Sequence, residues 1–393
     1  MSKNSSLSQA KKAKNDEFYT RLTDIEKELG HYWDHFKGKT ILCNCDDPFE
    51  SNFFKYFYLN FNVLGLKKLI ATSYADSPIS YHDFSPADVL GKKNANSHQA
   101  YKAVINKLYD ANGDGREDLE DVIDLFKNGT NTLEVLKGDG DFRSDECIEL
   151  LKETDIVVTN PPFSLFRPYM ATLMEYNKKF IVIGNQNAIT YKEIFPLLKN
   201  NEMWLGYNHP APKLFYVPNQ IDGRKNLICD DHGQLLASFG NICWFTNLDI
   251  QKRHEDLILV NRYNNKDYPK YDNYDAIEVS KVVNIPADYD GVMGVPITFL
   301  DKYNSEQFEI IGYTAKDMGV SCLKFYKDLE QSTDGKSFVR NMKSARFSPM
   351  VLYKERPDKT CYRASNANGY LLKTYGRILI RNKYPKSPNE PLF

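Results

Sequence analysis

The residues of this chain that could do chemistry are concentrated in one turn, Asn160-Pro161-Pro162-Phe163, which follows the short apolar run at 156–159. Two successive prolines remove two backbone N–H donors, so the turn presents carbonyl oxygens and the side-chain amide of Asn160. An amine on a flat ring is a poor nucleophile because its lone pair is delocalised. If the Asn160 side-chain oxygen and the Pro161 carbonyl oxygen accept its two hydrogens, the nitrogen can become pyramidal and attack a methyl donor. Phe163 offers a flat face for the ring.

A pair of prolines after a strand is commonly no more than the start of a loop. The position of this turn favours a functional interpretation, because open α/β sheets bind ligands at the carboxyl ends of their strands. The sequence therefore predicts that Asn160, Pro161, Pro162 and Phe163 form a catalytic site for methyl transfer to an amino group.

Strands and helices alternate around this turn. The predicted strands are 40–45, 66–74, 155–159, 179–184, 203–206 and 241–247, and the predicted helices are 52–60, 144–153, 166–177 and 191–200. A capping box at Thr23 and Glu26 predicts a further helix that continues to His35. This alternation predicts an α/β fold with a doubly wound, mostly parallel sheet. The segment at about 77–131 has little strand signal and is predicted to be an insertion of helix and loop.

Seven stretches, spread over most of the chain, carry a family resemblance. They are 15–20 (NDEFYT), 43–48 (CNCDDP), 51–57 (SNFFKYF), 138–143 (GDGDFR), 155–167 (DIVVTNPPFSLFR), 268–275 (YPKYDNYD) and 291–299 (GVMGVPITF). The chain thereby resembles the EcoRI modification-methylase family of adenine-specific DNA methyltransferases. The resemblance implies the fold of S-adenosylmethionine-dependent methyltransferases. It also implies methyl transfer to N6 of a flipped-out adenine in double-stranded DNA, for restriction-modification or epigenetic marking.

The turn after the first strand, Asp46-Asp47-Pro48, departs from the glycine-rich loop that methyltransferases usually place against the methionine part of the cofactor. Without glycine the backbone cannot approach the ligand as closely, so the two carboxylates must bind its ammonium group directly or through water. The EcoRI-type family has the same Asp-Asp-Pro sequence, which implies a cofactor role for this turn. Two acids in an ordinary surface turn are the alternative. The nearest acid for the ribose hydroxyls is Asp76.

The same resemblance implies further cofactor-binding residues. Asp141 is expected to accept from the adenine amino group of S-adenosylmethionine, and Phe142 is expected to pack on that ring. Tyr19 and Thr20 lie in an N-terminal motif that closes over the pocket. Asn160 is expected to contact the cofactor as well as the target amine.

Charge is distributed unevenly along a chain whose formal net charge is only -1. Residues 336–386 contain 13 Lys and Arg against 2 acidic residues, a net charge of +11, with seven aromatic side chains among them. Basic segments of this kind bind phosphate backbones, although a solvated charged face is the alternative. The sequence therefore predicts a catalytic domain over 1–248 and a DNA target-recognition domain over 249–393. Arg340, Lys343 and Arg346 are the predicted DNA contacts.

A possible calcium loop lies within the predicted insertion. Asp110, Asn112, Asp114 and Asp121 match positions one, three, five and twelve of such a loop, although the last ligand is Asp rather than Glu. A plain turn is the alternative, because Asp, Asn and Gly are common turn residues. Any bound ion is expected to be structural rather than catalytic.

The remaining features of the sequence limit location and chemistry. Seven cysteines without a Cys-x-x-Cys pair, and a start without an apolar signal core, predict a soluble cytoplasmic protein without membrane contact. We further expect it to be bacterial or phage-encoded and monomeric. No cysteine follows a proline, which excludes the Pro-Cys route of cytosine-C5 methylation. The alternatives are an RNA or protein-glutamine N-methyltransferase, and a DNA-binding module that has lost catalysis.

Overall fold

A computed structural model of the protein describes residues 19–45, 51–74, 99–117, 121–127, 129–209, 214–217, 227–230, 233–334, 336–340, 347–387 and 389–392. The chain divides into two compact units. The first unit is Met1–Ala188 with Met203–Ile250, and the second unit is Ile189–Glu202 with Gln251–Phe393. The functional division into a catalytic domain over 1–248 and a target-recognition domain over 249–393 stays a prediction.

The first unit combines helices with strands. Its strands are β1 (Tyr19–Thr20), β2 (Thr40–Asn44), β3 (Lys68–Thr72), β4 (Tyr101–Ile105), β5 (Thr132–Val135), β6 (Ile156–Thr159), β7 (Lys179–Asn185), β8 (Trp204–Leu205), β9 (Leu214–Tyr216), β10 (Leu227–Cys229), β11 (Leu235–Ser238) and β12 (Ile242–Thr246). Its helices are α1 (Leu22–Leu29), α2 (Trp33–Phe36), α3 (Asn52–Leu59), α4 (Phe61–Leu64), α5 (Val122–Lys127), α6 (Asp145–Glu153) and α7 (Phe166–Glu175). Mixed α/β architecture is therefore confirmed.

Eight of the described strands form the main sheet, in the order β5-β4-β3-β2-β6-β7-β12-β8. The four central strands, β3, β2, β6 and β7, are parallel. The outer strands β4, β5, β12 and β8 join antiparallel. The parallel arrangement predicted from the sequence thus applies to the centre of the sheet. The antiparallel outer strands were not predicted, because hydrophobic patterns locate strands without giving their direction.

The centre of the sheet is buried on both faces. All five residues of β2 are buried, and successive side chains of a strand point to opposite faces. Ile41 and Cys43 belong to the main hydrophobic cluster, together with Phe53 and Phe57 of α3. Near-continuous apolar strands are typical of parallel sheets that are covered on both faces.

Two local predictions are wrong. The segment at 77–131 is not only helix and loop, since β4 lies within it and pairs with both β3 and β5. The prediction missed the alternating buried positions Tyr101, Ala103 and Ile105 of this five-residue strand. The capping box is also absent, because α1 begins at Leu22 with Arg21 before it, so Thr23 already lies within the first turn. Arg21 instead donates to Asp24 at 2.8 Å.

A second, smaller sheet of the first unit has the order β1-β9-β11-β10 and is antiparallel. It contains the N-terminal residues that were singled out for the cofactor, because Tyr19 pairs with Tyr216 and Thr20 with Phe215. A segment near the start of the described chain is thereby attached to strands that come about two hundred positions later.

The second unit contains two further sheets. Its elements are α8 (Phe195–Lys199), β13 (Ile277–Glu278), β14 (Met293–Val295), β15 (Phe308–Tyr313), β16 (Glu330–Ser332), β17 (Val339–Arg340), β18 (Met350–Tyr353), β19 (Cys361–Arg363), β20 (Tyr370–Lys373) and β21 (Ile378–Asn382). One sheet has the order β13-β14-β21-β15 and the other β17-β16-β19-β20-β18. The buried ion pair between Arg377 and Glu278, at 2.7 Å, joins the chain before β21 to β13.

The helix predicted at 191–200 is shorter in the structure. Only Phe195–Lys199 is α-helical, and Pro196 occupies its first turn. Proline favours that position because its missing N–H would be unsatisfied there in any case. Within the described ranges, no helix has the length and apolar character needed to span a membrane.

Candidate active site

The carboxyl ends of β2 and β6 are joined by buried hydrogen bonds. Thr159, the last residue of β6, donates from its hydroxyl to the backbone carbonyl of Asn44, the last residue of β2. The side-chain oxygen of Asn44 accepts in turn from the hydroxyl of Tyr169 on α7. All three residues are buried, so water does not compete for these bonds. The network connects the residue that precedes Asn160 with a residue two positions before Asp46.

The turn of Asn160, Pro161, Pro162 and Phe163, called here the acceptor turn, starts where β6 ends. Asn160 is half-buried and Pro161 is buried. The Pro162 carbonyl accepts from the Leu165 N–H at 2.9 Å and so starts a short 3₁₀ helix, Phe163–Leu165. Among the described residues, no backbone N–H donates to the Pro161 carbonyl. Phe163 is half-buried and packs at the margin of the main core.

The Gly140-Asp141-Phe142 segment lies against the end of β3. Gly140 has a φ of +83°, and a Cβ atom there would lie 2.1 Å from the carbonyl oxygen of Ser73. Only glycine permits this approach. Phe142 is buried, and its ring packs edge-on against Tyr169 with centroids 5.0 Å apart. Tyr169 therefore contacts Phe142, in the segment predicted to hold the cofactor adenine, and Asn44, whose carbonyl accepts from the residue before Asn160.

Asp141 forms a bidentate ion pair with Arg143. Its Oδ1 accepts from Nε at 2.9 Å and its Oδ2 from Nη2 at 2.5 Å. The hydrogen bonds of the Arg143 side chain hold the pKa of the Asp141 carboxyl below its ordinary value, so it stays ionised at neutral pH. An ionised carboxylate has about four acceptor sites, which leaves capacity for a ligand amine. The guanidinium also lies 5.2 Å from the centroid of the Phe142 ring.

Buried hydroxyls near the sheet edge fit a polar cofactor. The side chain of Asn52, at the start of α3, donates to the Thr20 carbonyl at 2.8 Å, which places β1 beside this helix. The hydroxyls of Thr20 and Thr72 are buried and have no hydrogen-bond partner among the described residues. A buried hydroxyl without a partner costs about 1–3 kcal/mol. A ligand rich in hydroxyl, amino and carboxylate groups, as S-adenosylmethionine is, would satisfy such atoms.

Glu28 fixes the position of α1 in the first unit. Its carboxylate is buried and accepts from the backbone N–H groups of Tyr207 at 2.7 Å and Asn208 at 2.8 Å, and from the Tyr32 hydroxyl at 2.9 Å. Burial raises the pKa of Glu28 above its ordinary value. These hydrogen bonds fix the helix that follows Thr20 to the chain after β8.

Several predicted site residues lie outside the described residues: Asp46, Asp47, Pro48, Asp76, Lys343, Arg346 and the side chain of Tyr19. Their roles stay predictions. Their described neighbours Asn44 and Thr20 are the last residues of β2 and β1.

Nearly the whole chain matches one family of enzymes. The family model described as "Adenine-specific methyltransferase EcoRI" matches residues 6–383. The chain belongs to this family. The family and the adenine-specific methyltransferase activity expected from the sequence are thereby confirmed.

Relatives of this methyltransferase support the assignment over most of its length. It is 47% identical over 327 residues to the Type II methyltransferase M.EcoRI of Escherichia coli, which covers 81% of this chain and 93% of the relative. It is 38% identical over 355 residues to the Type II methyltransferase M.MpnI of Mycoplasma pneumoniae, and this alignment covers 89% of this chain and 98% of the relative. No solved structure matches the chain.

In the predicted calcium loop of the methyltransferase, the side-chain oxygens accept hydrogen bonds from backbone N–H groups of the same loop. Asp110 accepts from the N–H groups of Gly113 and Gly115 at 2.6 and 2.8 Å, and Asn112 and Asp114 each accept from an N–H two residues later. Asp121 is buried and accepts from two N–H groups of the same loop. Within the described ranges, no three His, Cys, Asp or Glu side chains are grouped to hold a metal ion. Calcium binding here stays a prediction.

Of the three basic residues predicted to contact DNA, the structure describes Arg340. It ends β17, is exposed, and forms an ion pair with Asp328 at 3.3 Å. Exposed pairs of this kind contribute about 0–1 kcal/mol, so the guanidinium can exchange its partner for a phosphate at little cost.

Local sequence patterns assign no role to three residues that the structure joins to the candidate site: Asn44, Tyr169 and Arg143. Asn44 offers a weak signal, because it is the polar end of an otherwise apolar strand just before two acids. Tyr169 offers none, since it is one of several aromatic residues on its helix and its partner is 125 positions away. Arg143 follows a recognised acid by two positions, which is a common spacing in loops.

Proposed function

We propose that this enzyme transfers the methyl group of S-adenosylmethionine to N6 of an adenine at a specific site in double-stranded DNA. Its proposed role is that of the modification enzyme of a type II restriction-modification system. The observation that carries the proposal is the acceptor turn at the carboxyl end of β6, joined through Thr159 to Asn44. The 47% identity to a protein named Type II methyltransferase M.EcoRI supports the choice of DNA.

The acceptor turn is proposed to activate the target amine. The adenine must leave the base stack, because its reacting edge cannot reach a buried turn from within the duplex. The Asn160 side-chain oxygen and the Pro161 carbonyl oxygen then each accept a hydrogen bond from the N6 amino group. These two hydrogen bonds localise the nitrogen lone pair. Phe163 stacks on the ring and sets its plane. Orientation of this kind supplies a large part of the rate, and the prolines keep the acceptors rigid.

The cofactor is proposed to lie along the ends of β2 and β3. Bound S-adenosylmethionine supplies an electrophilic methyl group on its sulfonium. Asp141 accepts from the adenine amino group of the cofactor and Phe142 packs on that ring. The buried hydroxyls of Thr20 and Thr72 fit its polar groups.

Four more residues complete the proposed cofactor site. Asp46 and Asp47 bind the ammonium group, Pro48 shapes their turn, and Tyr19 closes over the pocket. The fold is proposed to be that of S-adenosylmethionine-dependent methyltransferases, with the parallel centre of the main sheet as its support.

The second unit is proposed to recognise the target sequence. The net charge of +11 over 336–386 supports this, as does the exposed Arg340. Lys343 and Arg346 are proposed to bind phosphates beside it. The enzyme is further proposed to act as a monomer in the cytoplasm.

Transfer of labelled methyl groups tests the proposed function. The protein is incubated with labelled S-adenosylmethionine and, separately, with duplex DNA, RNA and a protein mixture. Label should enter DNA, and sequencing of modified bases should place N6-methyladenine within one short sequence. Label in RNA or in protein glutamine instead would contradict the proposal, and the absence of label in all three would indicate a DNA-binding module without catalysis.

A further inference from the structure

One row of side chains crosses all five strands of the β17-β16-β19-β20-β18 sheet. Glu330 pairs with both Arg340 and Arg363, and Tyr370 pairs with Tyr353. The pairing of Tyr362 with Leu371 places Arg363 opposite Tyr370 in the same antiparallel register. Directly paired residues project to the same face of a sheet. The row is therefore Arg340, Glu330, Arg363, Tyr370 and Tyr353, in that order across the sheet.

This face differs from the opposite face of the same sheet. The opposite face is occupied by a small core of Leu329, Met350, Tyr362, Ala364 and Leu371. In the row, Arg340, Glu330 and Arg363 are exposed and the two tyrosines are half-buried. The row therefore presents two arginines and one glutamate to solvent, with two half-buried tyrosines beside them, in a unit whose residues 336–386 carry a net charge of +11.

Arg363, at the centre of the row, is held by aromatic rings rather than by a carboxylate. Its guanidinium carbon lies 4.4 Å from the centroid of the Phe338 ring and 4.6 Å from that of Tyr370. Its Nη2 donates to the Tyr370 hydroxyl. No carboxylate among the described residues forms an ion pair with it, in contrast to Arg340 with Asp328.

This environment fixes the plane of the guanidinium while leaving most of its donors available. An arginine has five N–H donors, and the Tyr370 hydroxyl uses one of them. Contacts with two rings restrict the side chain before any ligand binds, so less conformational entropy is lost when it binds. A fixed plane with two donors side by side matches a pair of acceptors in one plane. In the DNA major groove, O6 and N7 of guanine form such a pair.

We propose that Arg363 reads the edge of a guanine within the target sequence, and that Phe338 and Tyr370 are positioning residues that hold its guanidinium for this contact. The inference rests on the proposed DNA substrate and adds a residue that decides specificity. Two phosphate oxygens could accept the same pair of donors. A phosphate contact would, however, contribute equally on every duplex, whereas a guanine contact depends on one base pair. The basic residues around it then attract the duplex, and Arg363 contributes the sequence specificity.

Replacement of Arg363 by lysine tests the proposal, because the charge is kept and the planar fork is lost. Binding and kcat/KM are measured on the target duplex, defined by modified-base sequencing, and on duplexes with each base pair changed in turn. We expect Arg363→Lys to lose roughly tenfold or more of the discrimination at one G·C pair and little at the others. The matched control is Arg381→Lys, an exposed arginine of the same unit that is paired with Glu309 at 3.6 Å. It should leave discrimination unchanged.

Variants of the two rings separate positioning from folding. Phe338→Ala and Tyr370→Ala should weaken discrimination at the same G·C pair, and Tyr370→Phe should retain most of it. An equal loss on every duplex would indicate a phosphate contact and overturn the proposal. Ring variants with unchanged discrimination and a lowered melting temperature would show that the rings have a purely structural role, and would also overturn the proposal. A target sequence without a G·C pair would overturn it as well. A wild-type protein that methylates no DNA would instead contradict the proposed function.

Discussion

The hydroxyl of Thr159 donates a hydrogen bond to the backbone carbonyl of Asn44, across the boundary between β6 and β2. Thr159 directly precedes Asn160, and Asn44 lies two residues before Asp46. One buried bond therefore connects the end of β6, which the proposed amine-binding turn follows, with the end of β2, two residues before the proposed ammonium-binding residue Asp46. Both must be held correctly for the methyl group and the amine to meet in line.

Thr159→Val should impair catalysis more than it impairs stability. The variant keeps the shape of the side chain and removes the bond, so the free energy of unfolding should fall by about 1–3 kcal/mol. Turnover should fall about tenfold or more, since a small displacement of reacting groups is costly. Thr246→Val is the control, because the buried Thr246 hydroxyl donates to the Phe180 carbonyl at 2.7 Å near the start of β7 and accepts from the Leu248 N–H at 3.0 Å. Equal losses of turnover in both variants, with equal losses of melting temperature, would contradict the prediction.

Asn160→Ala should lower turnover by on the order of 10² or more and lower S-adenosylmethionine affinity much less, although Asn160 is expected to contact the cofactor as well. The variant removes one of two acceptors that are needed mainly in the transition state. Single-turnover methylation and calorimetric titration of the cofactor measure the two quantities. A variant that methylates DNA at the wild-type rate would show that Asn160 is not the amine acceptor.

Phe163→Ala should act on the position of the base rather than on its reactivity. Loss of the stacking face should leave the flipped base more mobile or less populated, with a smaller loss of turnover than in Asn160→Ala. Fluorescence of 2-aminopurine placed at the target position reports this state. A fluorescence signal identical to that of the wild type would place the stacking surface elsewhere.

Arg143→Gln should shift the pH dependence of cofactor binding. The Arg143 side chain lowers the pKa of Asp141, so removing it raises that pKa toward its ordinary value of about 3.9. A carboxyl whose folded-state pKa is lowered contributes stability above its unfolded-state pKa and loses it as the pH falls through the folded-state value. Below about pH 5 the variant should therefore lose S-adenosylmethionine affinity at a higher pH than the wild type. Lys152→Gln, which breaks only an exposed pair with Glu149, serves as the control and should leave the profile unchanged.

Replacing Arg340, Lys343 and Arg346 together with glutamine should weaken DNA binding. Each lost phosphate contact should reduce the slope of log affinity against log salt by about one unit. Binding is measured over a range of salt concentrations on target and unrelated duplexes, and both should be affected alike. Unchanged affinity and slope would mean that these charges face solvent away from the duplex.

Calcium should raise the melting temperature if the loop at 110–121 binds the ion, and Asp110→Ala with Asp114→Ala should abolish that increment. The comparison is between melting with and without calcium for each protein, because both side chains also close the loop. An equal increment in the double variant would place any ion elsewhere. Methylation should persist without calcium.

The sequence by itself determined the features that are encoded in contiguous residues. Asn160-Pro161-Pro162-Phe163 follows an apolar strand, and β6 ends at Thr159 as that pattern predicts. The long matching stretches determined the family, which the comparison over residues 6–383 confirms. Local chemistry is sufficient for such features, because proline, glycine and apolar runs restrict the backbone within a few residues.

Only the tertiary structure decided which distant residues meet. Neither the contact of Tyr169 with Asn44 and Phe142 nor the row across the five-stranded sheet has a local signature. The antiparallel direction of β4 also depended on neighbours that lie elsewhere in the chain. The start of α1 at Leu22 is accompanied by the ion pair of Arg21 with Asp24 and not by a side-chain cap. These arrangements are set by the free energy of packing the whole core and of satisfying buried polar groups, and that free energy depends on residues far apart in sequence.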